Sequence, residues 1–80
     1  MEEIQIEDQI RDMISQVSGL PHDFDRNGHL YLDLGVASMH ALQLLTEIED
    51  RYGIQVPDEE FVEASSLAKI GGLVARLVSS

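Results

Sequence analysis

The residues that could do chemistry converge on one stretch, Asp33-Leu34-Gly35-Val36-Ala37-Ser38-Met39, where a short glycine-containing loop hands over to an amphipathic helix. A serine at such a junction has two uses. Its oxygen can cap the helix by accepting a hydrogen bond from a first-turn N–H. Alternatively, the hydroxyl can carry a phosphoester, because a helix start offers unpaired N–H donors and partial positive charge to a phosphate. Position alone leaves both open. His40 does not turn Ser38 into a nucleophile–base pair, since side chains two apart on a helix do not face each other. His22, His29 and His40 come without an acid–base constellation. The chain has no cysteine, which excludes thiol nucleophiles, zinc–thiolate sites and disulfides. The three histidines read as surface residues and not as catalytic ones.

A second candidate is Asp23-Phe24-Asp25-Arg26-Asn27-Gly28-His29-Leu30. Oxygen ligands Asp23, Asp25 and Asn27 at alternate positions, then Gly28, follow the first part of an EF-hand calcium loop. Leu34 stands where the bidentate glutamate belongs, and Pro21 ends any incoming helix before the loop starts. The expectation is a polar turn without metal, with these three residues as a weak calcium candidate.

The elements that must position Ser38 are legible from apolar spacing. Ile6, Ile10, Met13, Ile14 and Val17 form one helical stripe over about Glu3 to Val17, ended by Gly19 and Pro21. Pro21 to Val36 is a long connection, and Phe24, Leu30, Tyr31, Leu32 and Leu34 are expected to anchor it across the helices. Ser38 to about Tyr52 carries the stripe Met39, Leu42, Leu45, Ile48 and Tyr52, broadened by Leu44, and Gly53 caps its end. Ile54-Gln55-Val56-Pro57 is extended. Asp58 can cap a short helix through Glu63, with Phe61 and Val62 pointing inward. Ser65 or Ser66 caps a last helix with the stripe Leu67, Ile70, Leu73, Val74, Leu77 and Val78. Gly71-Gly72 inside it implies a close backbone approach or a bend. The expected fold is all-α: a small four-helix bundle of three longer helices and one short one, with a long first interhelical loop, in a single domain over residues 1–80.

Fifteen acidic residues against five basic ones give a net charge of −10. That argues against nucleic acid and anionic membrane as partners, and favours proteins with basic surfaces. Glu47, Glu49, Asp50, Asp58, Glu59, Glu60 and Glu63 gather at the end of the long central helix and on the short one, as a solvated face or a docking surface. The stretch Met1 to Asp8 is acidic where a signal peptide needs positive charge, and no apolar run reaches membrane-spanning length. A cytoplasmic monomer is the expectation.

Taken together, Asp33-Leu34-Gly35-Val36-Ala37-Ser38-Met39, the leucine-rich helix behind it and Tyr52-Gly53-Ile54-Gln55-Val56-Pro57-Asp58-Glu59-Glu60 resemble the acyl carrier protein family, over the whole chain. The resemblance implies that a phosphopantetheinyl transferase attaches 4'-phosphopantetheine from coenzyme A to Ser38. The thiol at the end of that arm would carry acyl groups as thioesters between enzymes of a fatty-acid, polyketide or related pathway. It implies docking through Met39, Glu47, Glu49, Asp50, Glu59 and Glu60 to loading ligases and acyltransferase-type enzymes with basic surfaces. Ala37, His40 and Gln43 replace acidic residues usual in the family and point to a specialised member. Gln43-Leu44-Leu45, Tyr52-Gly53-Ile54 and Glu60-Phe61 also resemble aminoacyl carriers of the D-alanyl kind, which would use the same Ser38. Apart from the resemblance, a calcium-responsive or protein-binding helical module with Ser38 as a plain cap stays open.

Overall fold

The computed structural model describes residues 2–79; the two ends of the expected domain, residues 1 and 80, lie outside them. Four helices follow in order: α1 (Glu3–Ser18), α2 (Ser38–Tyr52), α3 (Asp58–Glu63) and α4 (Leu67–Ser79). Among the described residues there is no strand. α1 packs along α4 and, on its other side, against α2, while the short α3 leans on α4. This is the small helical bundle expected.

The core runs through every element. Ile6, Ile10, Met13 and Ile14 from α1 meet Leu44 and Ile48 from α2, Phe61 from α3 and Leu67, Ile70, Leu73 and Val74 from α4. Phe24, Leu30 and Val36 bring the long connection into the same cluster, and Val56 brings in the extended segment. Burying a side chain of this size contributes about 1.5–3 kcal/mol. The connection is therefore fixed by packing, as expected of Phe24 and Leu30.

Four inward assignments do not hold. Leu32 is 81% exposed, because the turn that buries Leu30 points the residue two positions on into solvent. On α2 the buried positions are Leu44 and Ile48, whereas Met39 is 69% and Leu42 67% exposed. The helix is rotated so that Leu44, read as the edge of the stripe, sits at its centre. On α3 Phe61 is buried and Val62 is 69% exposed, since adjacent residues on a helix point about 100° apart. Val17, Leu77 and Val78 lie at the margin of the core, half-buried.

Charged and polar contacts lash the connection to the bundle. Arg11 donates from Nη1 to the carbonyls of His22 and Phe24, each at 2.7 Å, and its guanidinium lies 4.6 Å from the Phe24 ring centre. Arg26 grips Glu7 with two bonds of 2.7 and 2.6 Å. The Ala68 N–H at the start of α4 donates to the Arg26 carbonyl at 3.0 Å, and the Leu30 N–H to the Ser65 carbonyl at 2.8 Å. Of the two serines proposed to cap α4, Ser66 is the cap: its Oγ accepts the Lys69 N–H at 3.2 Å. At Gly71 α4 lies close against α1, since a Cβ there would stand 3.3 Å from Glu7 Cβ. The glycine pair thus marks a close approach, one of the two outcomes its sequence allowed.

Candidate functional site

The turn that leads to Ser38 is built around His29. Its Nδ1 accepts the backbone N–H of Tyr31 at 3.3 Å and of Leu32 at 3.1 Å, and its carbonyl accepts from Asp33 and Leu34. The Asp33 carboxylate accepts the N–H of His29 at 3.3 Å, closing the turn from the other end. The Val36 N–H then reaches back to the Leu30 carbonyl at 2.8 Å. Between these bonds Gly35 adopts φ +76, a left-handed conformation that a residue with a Cβ enters only with strain. Asp33-Leu34-Gly35 is therefore a preformed bend that aims the start of α2.

Ser38 is the first residue of α2 and lies exposed. The cap position is Ala37, which has extended backbone and no side chain to cap with. A cap role for Ser38 is thereby corrected: the cap position falls on Ala37, and Ser38 is already the first helical residue. The hydroxyl makes no hydrogen bond to the rest of the described chain. Ala41 is the first residue of α2 to donate backward, to the Ala37 carbonyl at 3.1 Å. The amides of Ser38, Met39 and His40 come before it and are the donors a helix start leaves for an anion. Asp58 behaves alike: Pro57 takes the cap position of α3 and Asp58 opens the helix.

Beside Ser38 lies a cavity of about 500 Å³ between α2, α3 and the His29 turn. Tyr31, Ala41, Leu42, Leu45, Phe61 and Val62 line it, with Ser38 and Asp58 as further lining residues. Leu42 and Val62, which left the core, are thus walls of this cavity. Sequence reading missed Tyr31, Ala41 and Val62 as site residues, because an apolar position facing a cavity has the same signature as one facing the core. Burial pushes the Tyr31 phenol above its ordinary range. His40 belongs to a different, much smaller cavity between α1 and α2, so it and Ser38 do not share a reaction site.

The other candidates fall in two groups. Met39, Glu47, Asp50 and Glu59 are exposed. Glu49 and Glu60 are engaged within the chain: Glu49 Oε2 accepts the Val56 N–H at 2.9 Å, and Glu60 pairs with Arg76. In the 23–28 turn, Asp25 Oδ1 accepts the Asn27 N–H at 2.9 Å. Among the described residues no group of three or more His, Cys, Asp or Glu side chains is placed to hold a metal ion.

An unengaged serine hydroxyl on a helix start, beside an apolar cavity, is a site for attachment. Residues 8–74 match the family described as the phosphopantetheine attachment site. The acyl carrier protein of Streptomyces coelicolor is 32% identical over 81 aligned residues, covering 99% of this chain and 88% of that protein. The chain belongs to the acyl carrier protein family. The meromycolate extension acyl carrier protein of Mycobacterium tuberculosis is 28% identical over 82% of this chain, which spans 56% of its length. The non-reducing polyketide synthase pkbA of Emericella nidulans is 28% identical over 90% of this chain, which spans 3% of that synthase. As a member of the family, the protein is an acyl carrier with 4'-phosphopantetheine as its prosthetic group. Among the described residues, no helix of this acyl carrier is long and apolar enough to cross a membrane.

Proposed function

We propose that Ser38 is the residue to which the arm is attached, and that the chain carries acyl groups without catalysing a reaction of its own. The observation that carries this reading is the coincidence of a free, exposed hydroxyl with the first turn of α2 and the mouth of the apolar cavity. The residues fit the group. A phosphodiester on Ser38 Oγ would lie by the open amides of Ser38, Met39 and His40, where a helix start favours negative charge. When bound, the arm supplies a terminal thiol on which cargo rides as a thioester.

The cavity favours acyl over aminoacyl cargo. Its walls are Tyr31, Ala41, Leu42, Leu45, Phe61 and Val62, which shelter an alkyl chain but offer an ammonium group little besides Asp58 and the hydroxyls of Tyr31 and Ser38. Burying a charged amine there would go uncompensated along most of its length. Docking would use Met39 as an apolar contact and Glu47, Asp50 and Glu59 as acidic ones, against enzymes with basic surfaces. Glu49 and Glu60 are partly committed to holding the bundle, so their share in docking is smaller.

Intact mass tests the proposal. Incubation with coenzyme A, magnesium and a broad-specificity phosphopantetheinyl transferase is expected to add one phosphopantetheine to the parent and none to Ser38→Ala. Addition to both proteins, or to neither with several transferases, would overturn the assignment of Ser38. Competition between fatty acids and amino acids for ligase loading of the modified protein then separates the two cargo classes.

A further inference from the structure

The cavity beside Ser38 ends against a second one. The smaller, about 10 Å³, lies between α1, α2 and the His29 turn and is lined by residues that include Ile14, Leu30, Val36 and Leu44. Two residues line both cavities, Tyr31 and Ala41. Both are half-buried. Tyr31 is large, and the turn that presents it is held by the two bonds to His29 Nδ1 and by an edge-on contact of the two rings, 5.8 Å between centres at 72°. Ala41, on α2, is the smallest side chain that keeps a Cβ. The two side chains common to both cavities are thus one bulky ring held by its own turn and one methyl group.

We infer that Tyr31 and Ala41 together set how long a straight acyl chain the cavity can shelter, with the Tyr31 ring as the end wall. The inference rests on the carrier reading and adds to it the residues that determine cargo length. Space beyond the wall is already apolar on the sides formed by Ile14, Leu30, Val36 and Leu44, so a longer chain would meet compatible surface if the ring were removed. Bulk, and not the hydroxyl, is what divides the space. Enlarging Ala41 would move the wall the other way, since extra methylenes in a packed site force neighbours out of place.

The test is a series of straight-chain acyl-phosphopantetheine groups, butanoyl to hexadecanoyl, transferred from the matching acyl-coenzyme A, with the melting temperature read for each. In the parent, stabilisation is expected to grow with length and then break off. Tyr31→Ala should move the break to longer chains by about two methylenes or more. Ala41→Leu should move it to shorter ones, and Tyr31→Phe should leave it in place. Should Tyr31→Ala not fold, Tyr31→Val and Ala41→Leu carry the comparison. An unchanged break in the smaller-residue variant and in Ala41→Leu, or no break in the parent, overturns the inference. Failure of the transfer itself, read by intact mass, would instead count against the carrier reading.

Discussion

Ser38 and Ser66 are two serines at helix starts with opposite tasks. Ser66 lies one residue before its helix, buried, with its oxygen on the Lys69 N–H. Ser38 lies one residue further in, exposed, and caps nothing. Truncating a true cap costs about 1 kcal/mol, whereas an exposed side chain without partners falls within about 0.5 kcal/mol of neutral. Urea denaturation is therefore expected to show Ser66→Ala clearly destabilised and Ser38→Ala unchanged, whereas the proposed attachment predicts that only Ser38→Ala loses modification. Glu7 gives a second prediction at this scale. The two hydrogen bonds from Arg26 hold its carboxyl below the ordinary value of 4.5. A carboxyl depressed in the folded state adds stability at neutral pH and loses it as pH falls through the folded value. Glu7→Gln should therefore melt lower than the parent at neutral pH and lose less on acidification below 4.5. Equal slopes in both proteins would show that the Arg26 pair does not couple folding to protons.

The seam between α1 and α4 depends on how closely two helices can lie. Gly71 faces the Cα, Cβ and Cγ of Glu7, whereas the nearest atom to a Cβ at Gly72 is Glu3 Oε2, at 3.7 Å. Alanine within a helix gains about 1 kcal/mol over glycine. At Gly72 that gain should be realised, because a carboxylate at the end of a flexible side chain can move. At Gly71 it is opposed by overpacking against the backbone-proximal atoms of Glu7, which costs about 1–3 kcal/mol. Thermal melts are expected to rank Gly72→Ala above the parent and Gly71→Ala at or below it. A Gly71→Ala variant as stable as Gly72→Ala would mean that the seam has slack.

Across the molecule, the five basic residues are scarce and mostly occupied. Arg11 and Arg26 hold the long connection to α1, and Arg76 holds α3 to α4 through Glu60. Glu47 and Asp50 on the lower half of α2, and Asp58, Glu59 and Glu63 on α3, are left exposed. This distribution gives the carrier a negative face and, at the same time, self-repulsion that works against the fold. Added salt screens such repulsion beyond about 10 Å at 0.1 M. The melting temperature should rise with salt. A flat response would show that the repulsion is already balanced.

What the sequence determined by itself is local. Helix limits followed from apolar spacing and from stop signals such as Gly19, Pro21 and Gly53, which act within a few residues. The motif around Gly35 and Ser38 was legible because a left-handed bend and a helix-start hydroxyl need particular residue types at fixed offsets. What only the tertiary structure decided is where each helix faces. Met39, Leu42 and Val62 carry the same apolar signature as Leu44 and Phe61, yet they lie on the surface or around the cavity. Rotation of a helix about its axis is set by its neighbours, here α1, α4 and the connection pinned by Arg11, Arg26 and Leu30. The same long-range packing puts Tyr31 beside Ala41, ten residues away along the chain, and no local rule of spacing carries that pairing.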